Sequence, residues 1–213
     1  MADDSDIGAL SRVMRDRLGI MFEAGLGLGY GQTKNPNAVP PSNINEEVSD
    51  KSGVLQAYIL ARNPWLGVEL GYLNLPKYHA RAWTDDYPAY KGIPAGSYPQ
   101  TADVSQDIEA GALYKRLNAY LPEVLGVEPY GFYGKAKVTS KNHEHAVYND
   151  KDHADYQETL TKDAPYFGGG LNYPLSKNVN LRAEIRKIRN GTSSYHTGNR
   201  DLLFGLLGLG AKF

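Results

Sequence analysis

Cysteine is absent from the 213 residues. No disulfide framework and no thiolate metal site is therefore available, although this leaves the compartment open. A run of about 18 apolar residues is also missing, so no transmembrane helix is expected. An excess of one charge is lacking too: 23 Lys and Arg stand against 24 Asp and Glu, for a net charge of -1. That balance, with no long basic run, gives no general field for nucleic acid, and no nucleic-acid partner is expected. The opening stretch MADDSDIGALSRVMRDRLG has acids where a secretory signal has positive charge, and no apolar core. The chain then reads either as cytoplasmic or as a mature protein whose signal peptide has been removed.

What is present leans toward β structure with turns: 23 Gly, 16 Tyr and 12 Pro. Alternation of period two runs through the chain. In LGIMFEAGLGLGYG, residues 18–31, Leu18, Ile20, Phe22, Ala24, Leu26, Leu28 and Tyr30 share one face. The other face holds Met21 and Glu23, then glycines. Residues 65–73 set Leu66, Val68, Leu70 and Tyr72 against Gly67, Glu69 and Gly71. By the same pattern Ile108, Ala110, Ala112 and Tyr114 oppose Asp107, Glu109, Gly111 and Lys115. Phe167, Leu171 and Tyr173 oppose Gly168, Gly170 and Asn172, and Leu181, Ala183 and Ile185 oppose Arg182, Glu184 and Arg186. The chain closes with Leu207, Leu209, Ala211 and Phe213 on one face and Gly208, Gly210 and Lys212 on the other. Residues 53–61 set Leu55, Ala57, Ile59 and Ala61 against Gln56 and Tyr58, and Pro129 leaves the facing of 125–138 open. This makes eight strands.

The connections alternate in length. Residues 32–52, 76–104, 139–164 and 190–200 are long and polar, whereas turns at Asn63-Pro64, Pro122 and Ser176–Asn178 are short. Long loops at one end and short turns at the other are the habit of a transmembrane β-barrel. The faces agree. One is apolar along its central span; the other carries Glu23, Glu69, Glu109, Lys115, Arg182, Glu184, Arg186 and Lys212. A narrow closed barrel lets such charges satisfy one another inside, and closure also pairs every backbone group, which lipid cannot do. Tyr30, Trp65, Tyr72, Tyr114 and Tyr173 lie at or near strand ends, as membrane-interface aromatics do. The expected architecture is all-β: an eight-stranded antiparallel up-and-down transmembrane β-barrel over 18–213, with short periplasmic turns and long extracellular loops. Residues 1–17 form a periplasmic lead, either a short helix or disordered.

Three stretches carry a resemblance to the OmpA-like family of eight-stranded outer-membrane barrels. NPWLGVELGY (63–72) resembles its turn after the second strand, and YFGGGLNYPLSKNVNLRAEIR (166–186) its late hairpin, with Arg182 and Glu184 inward. The terminal Phe213, with apolar residues at alternate positions before it, resembles the signal read by the barrel-assembly machinery. The resemblance implies a bacterial outer-membrane location, contact with outer-membrane lipid and lipopolysaccharide, and assembly-machinery recognition of Phe213. Asn172 departs from it, since the family prototype has an acid there.

Other signals have plainer readings. GLGLGYG repeats Gly every second residue and is followed by a Pro-rich loop, so it is an inner wall rather than a phosphate loop. The interior charges read as a hydrogen-bonded plug, with a narrow ion path as the alternative. His143, His145 and His153 stand among acids and have metal-binding chemistry, but a solvated loop explains them. No cofactor and no metal is expected. Ser193, Ser194 and His196 are the elements of a lipid A deacylase triad, yet a nucleophile beside its base on one loop is weak geometry. The expected role is therefore a non-catalytic anchor. It displays loops 76–104 and 139–164 for adhesion or for host or envelope contact. A small low-conductance pore and a lipid-modifying enzyme stand as alternatives.

Overall fold

Alternating Leu and Gly favour extended backbone with one bulky face, and such strands must pair to satisfy their amides. The computed structural model describes residues 18–34, 45–49, 51–84, 102–148, 152–194 and 198–213. The lead 1–17 lies outside these residues. The strands are β1 (Met21–Lys34), β2 (Asn45–Ser49), β3 (Lys51–Arg62), β4 (Leu66–Asn74) and β5 (Tyr78–Thr84). They continue as β6 (Ala102–Tyr120), β7 (Glu128–Tyr148), β8 (Asp152–Pro174), β9 (Val179–Ser194) and β10 (Gly198–Lys212).

Eight of them close a barrel in the order β1-β3-β4-β6-β7-β8-β9-β10, with β10 returning to β1. Neighbouring strands are antiparallel throughout. The other two, β2 and β5, prolong the β3–β4 hairpin upward, and β5 pairs with β6. A bulge separates β4 from β5. Asn74 faces Gly111 and Tyr78 faces Ile108, so four steps on one strand match three on the other. Pro76 sits in that gap, where its missing N–H costs the ladder nothing.

The short turns follow from local chemistry. Asn63 Oδ1 accepts the amides of Trp65 and Leu66 at 2.9 and 2.8 Å, which folds the chain back after β3. The reversal between β6 and β7 falls at Leu125-Gly126, not at Pro122. Both residues have positive φ, 53° and 79°, and Val124 and Val127 exchange amide hydrogen bonds around them. A two-residue hairpin that matches strand twist needs this backbone, and Gly126 supplies half of it without strain. Pro122 only ends β6.

Among the described residues, stretches expected as long loops are strand. Residues 139–148 pair with 152–161 as a hairpin, and residues 78–84 pair with 102–108. Their polarity on both faces suggests loop in the sequence. Above a membrane neither face meets lipid, so the apolar alternation stops while pairing continues.

Candidate functional site

The interior is a packed ionic column built from alternate residues of the barrel strands. Glu69 of β4 is fully buried. Its Oε1 accepts from Tyr114 Oη at 2.7 Å, and its Oε2 accepts from Arg116 at 2.7 Å and Arg182 at 2.9 Å. Glu184 of β9 accepts from Arg116 at 2.6 Å and Arg182 at 3.0 Å, and also contacts Tyr130 and Arg186. Arg186 donates to Tyr166 Oη at 2.5 Å and to Gln56 at 2.9 Å. Toward the periplasm Glu23 accepts from Tyr58 at 2.6 Å and Asn180 at 2.7 Å, with Arg182 at 3.7 Å. Three carboxylates thus face three guanidiniums. Each guanidinium reaches a carboxylate in a water-poor space, where an unpaired charge would be expensive. Rings cover the remaining faces, Phe132 lying 3.9 Å from the Arg116 guanidinium carbon.

Glycine makes room for this column at two tight points. A Cβ on Gly71 would lie 2.5 Å from Tyr114 Oη, and one on Gly210 would lie 2.2 Å from Glu23 Oε1. At the periplasmic mouth Arg62 holds Glu128 through two bonds of 2.6 and 2.5 Å, and Asn172 donates to the same carboxylate at 2.9 Å. Asn172, the departure from the family pattern, serves here as a neutral donor.

The structure places Glu23, Glu69, Arg182, Glu184 and Arg186 together inside. Lys212 is half-buried at the periplasmic rim, across the β1–β10 ladder from Glu23. Three expectations on β6 are overturned. Glu109 and Lys115 point outward, and Glu109 pairs with Lys77 at 2.5 Å. Tyr114 is buried and binds Glu69, so it is no membrane-interface aromatic. The apolar look of Ile108, Ala110, Ala112 and Tyr114 misleads, because these small and aromatic groups line the interior. Carrying the same parity forward reveals the signal: it reaches Arg116 and Asn118, while Leu113, Leu117 and Leu121 occupy the other face. Arg116, Tyr130 and Tyr166 are functional side chains that the sequence reading misses, whereas Gln56 and Tyr58, already set on the polar face, join the column. On β7 the open question resolves with Tyr130, Phe132, Ala136 and Val138 inward.

Tyr30, Trp65, Tyr72 and Tyr173 face outward on the barrel surface, and Tyr133 joins them. Phe213 is anchored: its amide donates to Phe22 O at 3.1 Å, and its ring stacks on Phe22 with centroids 6.4 Å apart. Lys212 N donates to Asn178 O at 2.7 Å. Among the described residues no three His, Cys, Asp or Glu side chains converge on a metal position. His145 instead approaches Asp155 at 2.5 Å across the β7–β8 hairpin, and the His153 side chain lies outside the described residues. The side chains of Ser193 and Ser194, and all of His196, also lie outside them.

The model of the OmpA-like transmembrane domain matches residues 21–203. No curated protein matches the chain. Among solved structures, neisserial surface protein A superposes with a TM-score of 0.50 at 14% identity, over 90% of this chain and 97% of that one. Ail, the attachment invasion locus protein of Yersinia pestis, gives 0.44 at 15% identity, over 90% and 98%. OprG from Pseudomonas aeruginosa gives 0.46 at 17% identity, over 91% and 95%. At such identities the likeness is one of fold, and activity must be argued from the site.

Proposed function

Because the chain belongs to the OmpA-like transmembrane domain family of bacterial outer-membrane barrels, we propose that it is a non-catalytic anchor holding an extended β-sheet above the outer membrane for contact with a host or envelope partner. The observation that carries this reading is the β7–β8 hairpin. Its last ten pairs, Thr139↔Thr161 to Tyr148↔Asp152, extend the sheet beyond the apolar belt. At about 3.3 Å per residue that is roughly 30 Å of strand outside the lipid. Along residues 152–165, β8 pairs with β7 alone, since β9 joins it only from Tyr166. Such an edge offers backbone donors and acceptors to an extended segment of another protein. The β5–β6 pairing, residues 78–84 with 102–108, stiffens the base of the same sheet.

The test replaces residues 142–158 with a two-residue turn. Cells displaying this variant should lose binding to immobilised host-surface protein, while the unboiled protein keeps its fast, heat-modifiable migration on a detergent gel. Undiminished binding by the folded variant overturns the reading.

A second reading is a narrow pore. It is favoured by Arg116 Nε and Nη1 and Arg186 Nε, which have no hydrogen-bond partner among the described residues and would suit a file of water. Reproducible single-channel steps in planar bilayers would replace the anchor with the pore.

A further inference from the structure

Among the described residues, the lipid-facing wall gathers lysines without an ion-pair partner on one side. On β6, Lys115 points outward between Leu113 and Leu117. It lies directly across the ladder from Lys135 of β7, and the next outward pair joins Leu113 to Lys137. Lys137 in turn faces Asp163 of β8. Three lysines and one carboxylate therefore share a patch of net positive charge. The level of each can be read from its strand. Lys115 is five residues above Tyr120, and Lys135 and Lys137 are seven and nine above Glu128. For strands tilted about 40°, these steps are roughly 13, 18 and 23 Å up a belt about 25 Å tall. Lys115 stands at mid-belt, and Lys135 and Lys137 lie in the extracellular half. Below them, the outward positions Leu117, Tyr133, Gly169 and Leu171 bear no charge.

Two other outward lysines are neutralised by protein: Lys77 by Glu109 at 2.5 Å, and Lys187 by Asp201 at 2.8 Å. Among the described residues Lys115, Lys135 and Lys137 close no such pair. A lysine in this half of the bilayer can run its stem up the wall and bring its ammonium to headgroup level. A shallow groove of about 990 Å³ leads to the same place. It passes Ala57, Leu70 and Leu113 on the outer wall and ends at the lysines. It therefore offers apolar surface for a chain and cations for a headgroup.

We propose that this patch binds the phosphorylated headgroup of an outer-leaflet glycolipid of the lipid A class, with an acyl chain along the groove. The choice of leaflet follows from the lysines' level. In an outer membrane that leaflet is built from lipopolysaccharide, whose phosphates complement a basic patch. The inference needs only that the barrel spans an outer membrane, and it is independent of what the β7–β8 hairpin contacts.

The experiment titrates the folded full chain in neutral detergent with purified lipid A or with phosphatidylglycerol, and reads bound lipid by native mass spectrometry. Wild type should retain lipid A in preference to phosphatidylglycerol. The K115Q/K135Q/K137Q variant should lose affinity by roughly fivefold per lysine removed, as expected for cations at a headgroup. Lys135→Gln alone should show the single step, which keeps the test decisive if the triple variant does not fold. The K51Q/K141Q variant, which removes outward lysines outside the patch, should bind as wild type does. The proposal is overturned by wild-type lipid A binding in the triple variant or in a folded Lys135→Gln. It is equally overturned by a matching loss in K51Q/K141Q, or by phosphatidylglycerol binding as tightly as lipid A.

Discussion

On the β1–β3–β4 wall the outward positions through the membrane are Ala24, Leu26, Leu28, Leu55, Ala57, Ile59, Val68 and Leu70, and none is charged. On the β6–β7 wall the same belt is broken by Lys115, Lys135 and Lys137. The interior shows a third condition: charge is dense there, but each guanidinium meets a carboxylate of the protein. A charge in this molecule is tolerated where something answers it. Inside, the answer is another side chain; on the β6–β7 wall it must come from the lipid or from water above it.

The largest expected break in this contrast is inside. Glu69→Ala removes one of the two carboxylates that Arg116 and Arg182 share and leaves Glu184 alone between the three guanidiniums. Uncompensated buried charge of this kind costs about 3–5 kcal/mol. The urea midpoint of the barrel in lipid vesicles should fall accordingly, and an unchanged midpoint would mean that water, not Glu69, neutralises the column.

Next comes an exchange between the two walls. Leu70 and Lys115 are direct neighbours across the β4–β6 ladder. Leu70→Lys introduces a cation near the midplane and should destabilise by about 2–4 kcal/mol. Lys115→Leu, at the adjacent position, should be neutral or stabilising in phosphatidylcholine vesicles, where no anionic headgroup answers it. Equal destabilisation by both would erase the distinction between the walls.

The smallest effect lies above the membrane. Asp103 accepts from Arg81 at 3.0 and 2.5 Å, and this guanidinium holds its carboxyl below the usual aspartate range. The lowered value means that the pair stabilises the β5–β6 extension above the ordinary aspartate pKa. That contribution fades as pH falls through the lower folded value. The pair is largely solvent-exposed, so screening keeps it small. Protection of the β5 amides, taken relative to the intrinsic exchange rate at each pH, should fall below about pH 4, the unperturbed aspartate value, and Asp103→Asn should remove that acid dependence. An identical acid response in the variant would assign it elsewhere.

The residues divide by how much their own stretch reveals. Strands β1, β4, β9 and the last half of β10 are legible because lipid demands apolar side chains at most outward positions, while glycine or charge occupies most inward ones. Glu23, Glu69, Arg182, Glu184 and Arg186 follow from parity alone. Strand β6 is not legible over residues 107–115. There the interior is filled by Ile108, Ala110, Ala112 and Tyr114, and the exterior rises out of the lipid at Glu109. A polar outside and an apolar inside invert the rule at just that level. Arg116 is hidden for the same reason, and the hairpin beyond Thr139 is hidden because no lipid enforces alternation there.

Sequence by itself determined that the chain forms alternating strands, that one face meets hydrocarbon, and that long and short connections fall at opposite ends. These are local properties, set by the two-residue repeat and by turn residues such as Asn63. Tertiary structure alone decided which carboxylate meets which guanidinium, that Tyr114 closes on Glu69 rather than on the membrane, and that Lys115 and Lys135 stand side by side. Such pairs depend on the register between strands distant in sequence, and register is fixed only when the barrel closes and every ladder must match at once.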